Sequence, residues 1–499
     1  MPDVKREDLP QPSGTEQLRK SLAARTVASV AWNSTTNLAK IGILLLRSVL
    51  LARLLPVETF GVYAWASSVI RFSSVLPSFG LGAAFLHRCE ETENEDQATA
   101  VHFTLKLIFT LAWTLLAIGL TLGLARGETR LSLIVLTFAV GGLLLTQTPE
   151  VILIRRVEHR RLAVLDLLNA VLTTAIAVAI AWQTGHLWAL LATDLVTLIL
   201  SFFALYVWKP VWRPKLVWQK SAVRYYLRFG NKVFWASVLA QALDKVDDLW
   251  TGVFLGDTAM GYYSRAYVFA TYPRVILAQP IDSVVGGTFA ELKGDRKRLS
   301  QAFFRTTALM VRSGFLVAGL LALVAPEFIR LVLGAKWLPM LDAFRLMLIF
   351  TLLDPIKTSV ASLFLAVGRP EQVVQARVLQ LLVLVAGLLL LGLPFGITGV
   401  ALAVDGMLVV GMIILFWRVR QYVDYSVPKL LVPPAVSLVI GLALARLALL
   451  VPGLPGTDWG TAVVKIAVFL LFYGGLLSLW ERHTIRLMAT MLQSVLKRR

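Results

Sequence analysis

Four polar side chains, Asn33, Asn37, Lys40 and Arg47, fall within about 80° of one helical face at 100° per residue, in a run that is otherwise apolar. Tyr63, Ser67, Arg71, Ser74 and Ser78 form a second stripe, and Tyr263, Tyr267, Thr271 and Arg274 a third. In "QALDKVDDLW" the side chains of Gln241, Asp244, Lys245 and Asp248 share a face, with Asp247 about 120° away. Lys106, Arg312 and Arg345 stand deep in other apolar runs, as do Asp166, Asp194, Asp354, Lys357 and Asp405. Arginine offers bidentate hydrogen bonds to phosphate or carboxylate, and lysine a compact charge. The stripes therefore suit an anionic substrate with a bulky polar part, held in a cavity lined by Asn33, Asn37, Lys40, Arg47, Tyr63, Arg71, Tyr263, Tyr267, Arg274 and Arg312. The plainer alternative for each basic residue is an ion pair with an aspartate between helices, or snorkelling to an interface. Snorkelling suits Arg53 and Arg446, near span ends, and structural pairing suits Asp247.

Other chemistry is not signalled. Five scattered histidines show no HExxH or similar spacing, and Cys89 is the single cysteine, so no metal site or internal disulfide is expected. No GxxxxGK[ST] phosphate loop occurs. Neither a catalytic residue nor a cofactor is expected, and the protein is not expected to be an enzyme.

The elements that must carry these stripes are membrane helices. The 499 residues are 57% hydrophobic and only 16% charged, against about 25% charged in soluble domains. The apolar residues come in long runs such as "LKLIFTLAWTLLAIGLTLGLA", and about 20 apolar residues in a helix cross one bilayer. The fold class is thus an all-α polytopic membrane protein. Fourteen helices are expected, at roughly 26–52, 59–87, 98–123, 131–153, 163–182, 187–208, 228–255, 260–290, 302–324, 340–366, 371–392, 396–417, 429–450 and 460–480. A charge at mid-span costs about 2.5–3.5 kcal/mol, which is why the charged stripes should face protein or water. Basic residues crowd alternate connections, including Arg155, Arg156, Arg160 and Arg161, then Lys209, Arg213, Lys215, Lys220 and Arg224. The retention of Lys and Arg inside the cell then places both termini in the cytoplasm of an inner-membrane, multi-pass protein. The net charge of +19 follows from that topology and from contact with anionic lipid, and no nucleic-acid partner is expected. The loop "RCEETENEDQ", 88–97, is acidic yet falls on the same side, as acidic residues weigh little in topology.

The stretch "RLLPVETFGVYAWA" from 53 has a counterpart in "VFLGDTAMGYYSRA" from 253: Leu55, Gly61, Tyr63 and Ala66 recur as Leu255, Gly261, Tyr263 and Ala266. Six spans separate the copies, an even number, so the halves are parallel repeats about an axis along the membrane normal. The expected organisation is a tail at 1–25, an N-lobe at 26–208, a basic linker at 209–227, a C-lobe at 228–420 and two further helices with a basic tail at 421–499. At the same offset Arg47 corresponds to Asp247, which suggests a gate pair closing the external end, with Asp248 as a substitute.

Several of these stretches carry a resemblance. "ARLLPVETFGVYAWASSVIRF", "DDLWTGVFLGDTAMGYYSRAYVFATYPRVI", "LGAKWLPMLDAFRLM" and "FLAVGRPEQ" are similar to landmarks of the polysaccharide-transport family, in the multidrug/oligosaccharidyl-lipid/polysaccharide exporter superfamily. The likeness is to flippases of O-antigen and colanic-acid type synthesis and covers about 26–420. One departure is "IDSVVGGTFAEL", where Gly286 and Gly287 stand near an expected proline. The resemblance implies movement of undecaprenyl-pyrophosphate-linked oligosaccharide repeat units across the cytoplasmic membrane. The partners it implies are the lipid-linked oligosaccharide, membrane lipids, and a polysaccharide polymerase with its export machinery. The alternatives are a cation-coupled drug exporter of the same superfamily, a membrane-embedded glycosyltransferase or polymerase, for which the loops are short, and a non-transporting scaffold.

Overall fold

The computed structural model describes residues 36–87, 95–156, 158–450 and 457–481, and every regular element among them is helical. Asn33, Cys89 and most of the acidic loop lie outside the described residues. Helix α1 covers 36–54 and stops before Pro56, which has no N–H to continue it. Three helices, α2 (Val57–Ser73), α3 (Val75–Ser78) and α4 (Leu81–His87), make one bent rod, broken where Phe79 and Gly80 take φ of 37° and 66°. Then come α5 (Glu95–Leu124), α6 (Gly127–Arg155), α7 (His159–Thr184) and α8 (Trp188–Phe202). After the extended linker 209–219 the second half begins with α9 (Lys220–Phe254) and α10 (Gly256–Leu292). It continues with α11 (Arg296–Phe328), α12 (Leu341–Ala366), α13 (Pro370–Gly387) and α14 (Leu393–Val419), and ends with α15 (Val427–Leu447) and α16 (Asp458–Trp480). Helix α10 runs unbroken through Gly286 and Gly287.

Among the described residues nine helical stretches are long and apolar enough to cross a membrane, or ten with the bent α2–α4 rod. One of the nine is the 50-residue stretch Pro370–Val419. At 1.5 Å per residue it would reach about 75 Å, more than twice a hydrocarbon core of about 30 Å. It is broken at Gly396, whose φ of 56° and ψ of −139° reverse the chain, and α13 then packs along α14. Helices α1, α9 and α10 are not among the nine because they carry the charged stripes. They are also the helices on which the two halves meet.

The main core joins both halves. Helix α2 packs on α6 within the first half and on α9 and α10 across the divide, while α10 also packs on α11 and α12. Helices α15 and α16 lie against α11. They are fastened there by Lys465 Nζ on Glu327 at 2.6 Å, and by the Tyr473 hydroxyl, which donates to the Arg312 carbonyl at 2.8 Å. Outside the spans, Arg296 grips Asp424 with two donors, and those hydrogen bonds hold the Asp424 carboxyl below the usual aspartate range.

Candidate functional site

The halves meet at one end through a contact that obeys the repeat. A Cβ on Gly61 would stand 1.8 Å from the carbonyl oxygen of Asp257, and one on Gly261 would stand 2.3 Å from that of Val57. Val57 and Asp257 are themselves related by the offset of 200, so each glycine receives the other half's equivalent carbonyl, as in an isologous interface. Thr258 Oγ1 donates to Glu58 Oε1 at 3.2 Å, a further pair at that offset. The approach is so close that any side chain at either glycine would force the halves apart.

A second fastening covers the end of α1. Pro56 cannot donate to the Ala52 carbonyl, which would otherwise be left orphaned at the helix terminus. Trp337, on the 3-10 turn Ala335–Met340 of the other half, supplies that donor through Nε1 at 2.9 Å. Lys336 Nζ donates to the carbonyls of Leu55 at 2.7 Å and Arg53 at 3.2 Å, and Arg53 Nε donates back to Val332 at 2.8 Å. The Trp337 ring is fully buried edge-on against Phe60 of one half and Tyr262 of the other.

Behind this closed end lie two polar pockets that share Asp244 on α9. One, of about 590 Å³ on the first half's side, is lined by Arg71, Ser74, Ser78, Gln147, Asp194, Gln241 and Lys245. The other, of about 320 Å³ in the second half, is lined by Asp247, Tyr267, Arg274, Asp354, Lys357, Arg377 and Gln380. In the first, Arg71 lies 3.6 Å from Asp194, which also accepts from the Tyr63 hydroxyl at 2.6 Å. In the second, the buried Asp354 holds two cations at 2.7 Å each, Arg274 and Lys357. Between them Lys245 pairs with Asp244 at 3.2 Å and Asp248 at 3.3 Å.

Several placements differ from those expected from sequence. The walls are less cationic than the stripes suggest, because Arg71, Lys245, Arg274 and Lys357 each face a carboxylate from the same or a neighbouring helix, while Arg377 faces none among the described residues. Desolvation favours this, since a paired charge costs less than a lone one. Arg47 and Asp247 are not partners. Arg47 donates to Thr173 Oγ1 at 2.9 Å, whereas Asp247 accepts from the Tyr263 hydroxyl at 2.5 Å, which buries Tyr263 in the core instead of the cavity. Asp248 accepts from Ser68 Oγ at 2.8 Å and ties α9 to α2. Arg312 is also removed from the cavity: it is 4% exposed and forks onto Glu481 at 2.5 and 2.6 Å. Lys40 pairs with Asp166 at 2.5 Å, and Asn37 is exposed on α1. Arg71, Tyr267 and Arg274 line the pockets.

Arg265 lies off all three polar stripes. Its Nη1 lies 3.4 Å from Ser48 Oγ, and its guanidinium stands 4.6 Å over the Phe60 ring, so it bridges the halves. It sits about 200° from Tyr263, off the stripe of Tyr263, Tyr267, Thr271 and Arg274. The only signal in the sequence was a charge in an apolar helix facing the other repeat.

Residues 50–342 match the family described as "Polysaccharide biosynthesis protein". The chain belongs to that family. It is 26% identical over 317 residues to the succinoglycan biosynthesis transport protein ExoT of Rhizobium meliloti, covering 63% of this chain and 64% of that protein. The chain thus spans just under two thirds of ExoT's length. It is 21% identical to the lipopolysaccharide biosynthesis protein WzxC of Escherichia coli, over 77% of this chain and 78% of that one. In structure it is similar to the lipid II flippase MurJ in an inward closed conformation, with a TM-score of 0.77 at 15% identity, over 92% of this chain and all of that one. An inward-facing multidrug resistance MATE transporter gives 0.60 at 15% identity, over 78% of this chain and 94% of that one. At such identities the likeness establishes the fold: the family member is an all-helical, multi-pass membrane protein built like MurJ and the MATE transporters. ExoT is described as a transport protein, MurJ as a flippase and the MATE protein as a transporter.

Proposed function

We propose that this member of the family is a flippase that carries undecaprenyl-pyrophosphate-linked oligosaccharide repeat units across the cytoplasmic membrane by alternating access, for exopolysaccharide or lipopolysaccharide synthesis. The observation that carries this reading is the repeat-symmetric closure at Gly61 and Gly261, lying over two polar pockets in a transport-family fold. Two similar halves that touch at one end can rock about that contact, exposing the polar pockets first to one side and then to the other. In this reading all fourteen helical segments cross the bilayer and both termini are cytoplasmic. The closed end, at the α1–α2 and α9–α10 turns, then faces outward. Hydroxyl, amide and ion-paired side chains suit a sugar, and Arg71 and Arg274 can exchange their carboxylate partners for a pyrophosphate. The seam between α2 and α9 is closed where Trp65 packs on Gly252 and Phe79 on Gly230, and the polyprenyl tail would use the seam between α1 and α10, beyond the Arg265–Ser48 bridge.

The test is a deletion strain. It should accumulate lipid-linked repeat units in the inner leaflet and lose the polymer, and the intact gene should restore it. Normal polymer with no accumulated intermediate would refute the reading. A cation-coupled drug exporter is the second reading, favoured by the carboxylates Asp244, Asp247 and Asp354 in the pocket walls. It predicts drug sensitivity in the deletion strain with polymer unchanged.

A further inference from the structure

At the end of α9 away from the closed contact, Lys220, Arg224, Arg228 and Lys232 recur every four residues. All four are exposed, and none makes an ion pair or hydrogen bond with a described residue. Two cations close by are matched instead: Lys215 pairs with Asp96, and Arg161 donates to the Ala204 carbonyl at 2.7 Å. Like charges four apart on a helix repel, and the positive end of the helix dipole at Lys220 adds to that cost. The row is thus a strain that a bound anion would relieve.

Helical geometry says where such an anion would sit. Counting 100° per residue from Lys220, the row is centred at about 60°, and Trp235, which is 65% exposed, lies at about the same angle. Asp244, which both pockets share, lies at about −120°, on the opposite side of the helix. The row faces away from the pockets and toward the surroundings of the protein, so transported substrate in the pockets does not reach it. Exposed Leu216 and Trp218 flank it in the linker. Trp212 Nε1, donating to Asp96 at 2.6 Å, and Val217 N, donating to Thr104 Oγ1 at 3.0 Å, hold the linker in place. Cations interleaved with tryptophans are the chemistry of the headgroup layer. The groove along the row, about 770 Å³ and floored by Phe79 and Leu227, is large enough for a phospholipid headgroup.

We propose that the outer face of α9 from Lys220 to Lys232, with Trp218, is a binding site for anionic phospholipid headgroups of the leaflet opposite the closed contact. Bound lipid would steady the half of α9 that carries Asp244 and Lys245 into both pockets.

Purified full-length protein in nanodiscs of phosphatidylcholine with or without phosphatidylglycerol tests this by native mass spectrometry of retained lipid. Wild type should retain phosphatidylglycerol preferentially. The quadruple variant K220Q/R224Q/R228Q/K232Q should lose at least tenfold of that preference and also the thermal stabilisation that phosphatidylglycerol confers. The control K293Q/K297Q, at exposed positions beyond α10 and charge-matched to R224Q/R228Q, should keep both where that double variant loses them. The proposal falls if wild type shows no preference, if the quadruple variant retains lipid as wild type does, or if the control loses as much, which would make the effect one of net charge. Should the quadruple variant melt early in phosphatidylcholine alone, R224Q/R228Q replaces it under the same criteria. Capture of an acidic protein with no lipid preference would also overturn the proposal.

Discussion

Asp354 is the residue on which most charge converges, since it is almost wholly buried and holds Arg274 and Lys357 at 2.7 Å each. Removing one member of a buried pair costs about 3–5 kcal/mol, and the lower end applies here because both cations are about a quarter to a third exposed. Asp354→Ala should therefore lower the melting temperature of the purified protein measurably, and more than Lys357→Ala, which leaves Arg274 in place. Arg71 and Arg274 are the pocket cations best placed to change partners. Arg→Ala at either should abolish polymer export at matched protein level, and Arg→Lys should rescue only in part because the bidentate fork is lost. Normal export by the double alanine variant would remove both from the substrate site. Arg47 and Asp247 have different partners, Thr173 and Tyr263, so exchanging their charges should be no better than the worse single change.

Between elements, the contact of α2 with α10 depends on the absence of two side chains. Gly61→Val places carbon where the Asp257 carbonyl oxygen stands, and Gly261→Val does the same against Val57. Either variant should hold the halves apart at that end. A cysteine at Ser78, which lines the first pocket, introduced with Cys89→Ser, should then react with a membrane-impermeant thiol reagent from the side of the α1–α2 turn. Wild-type glycines should keep it protected, and equal labelling in both backgrounds would show that the contact does not seal the pocket. Trp337→Phe should weaken the same closure with little loss of packing, because it takes away the donor that Pro56 denies to Ala52. The expected readout is partial labelling at the same cysteine.

For the whole molecule, a reporter fused after residue 215 should behave as cytoplasmic and one after residue 455 as periplasmic. Either on the opposite side would break the fourteen-crossing reading. Composition and apolar run length were enough to establish a helical membrane protein, because hydrocarbon requires every backbone group to be satisfied within a helix. The helix positions followed from the same runs, and the recurrence of Gly61 at Gly261 marked two positions that meet in one contact, since both are local properties of the chain. Tertiary structure alone decided which face of each stripe met which partner. Tyr63 and Tyr263 occupy equivalent positions, yet they donate to Asp194 on α8 and Asp247 on α9, residues that the repeat does not relate. Arg312 reads as a pocket residue until Glu481, far away in sequence, arrives beside it. A charge in an apolar helix announces that it needs a partner, but the helix that supplies the partner is chosen by packing, and packing is not written in any single run.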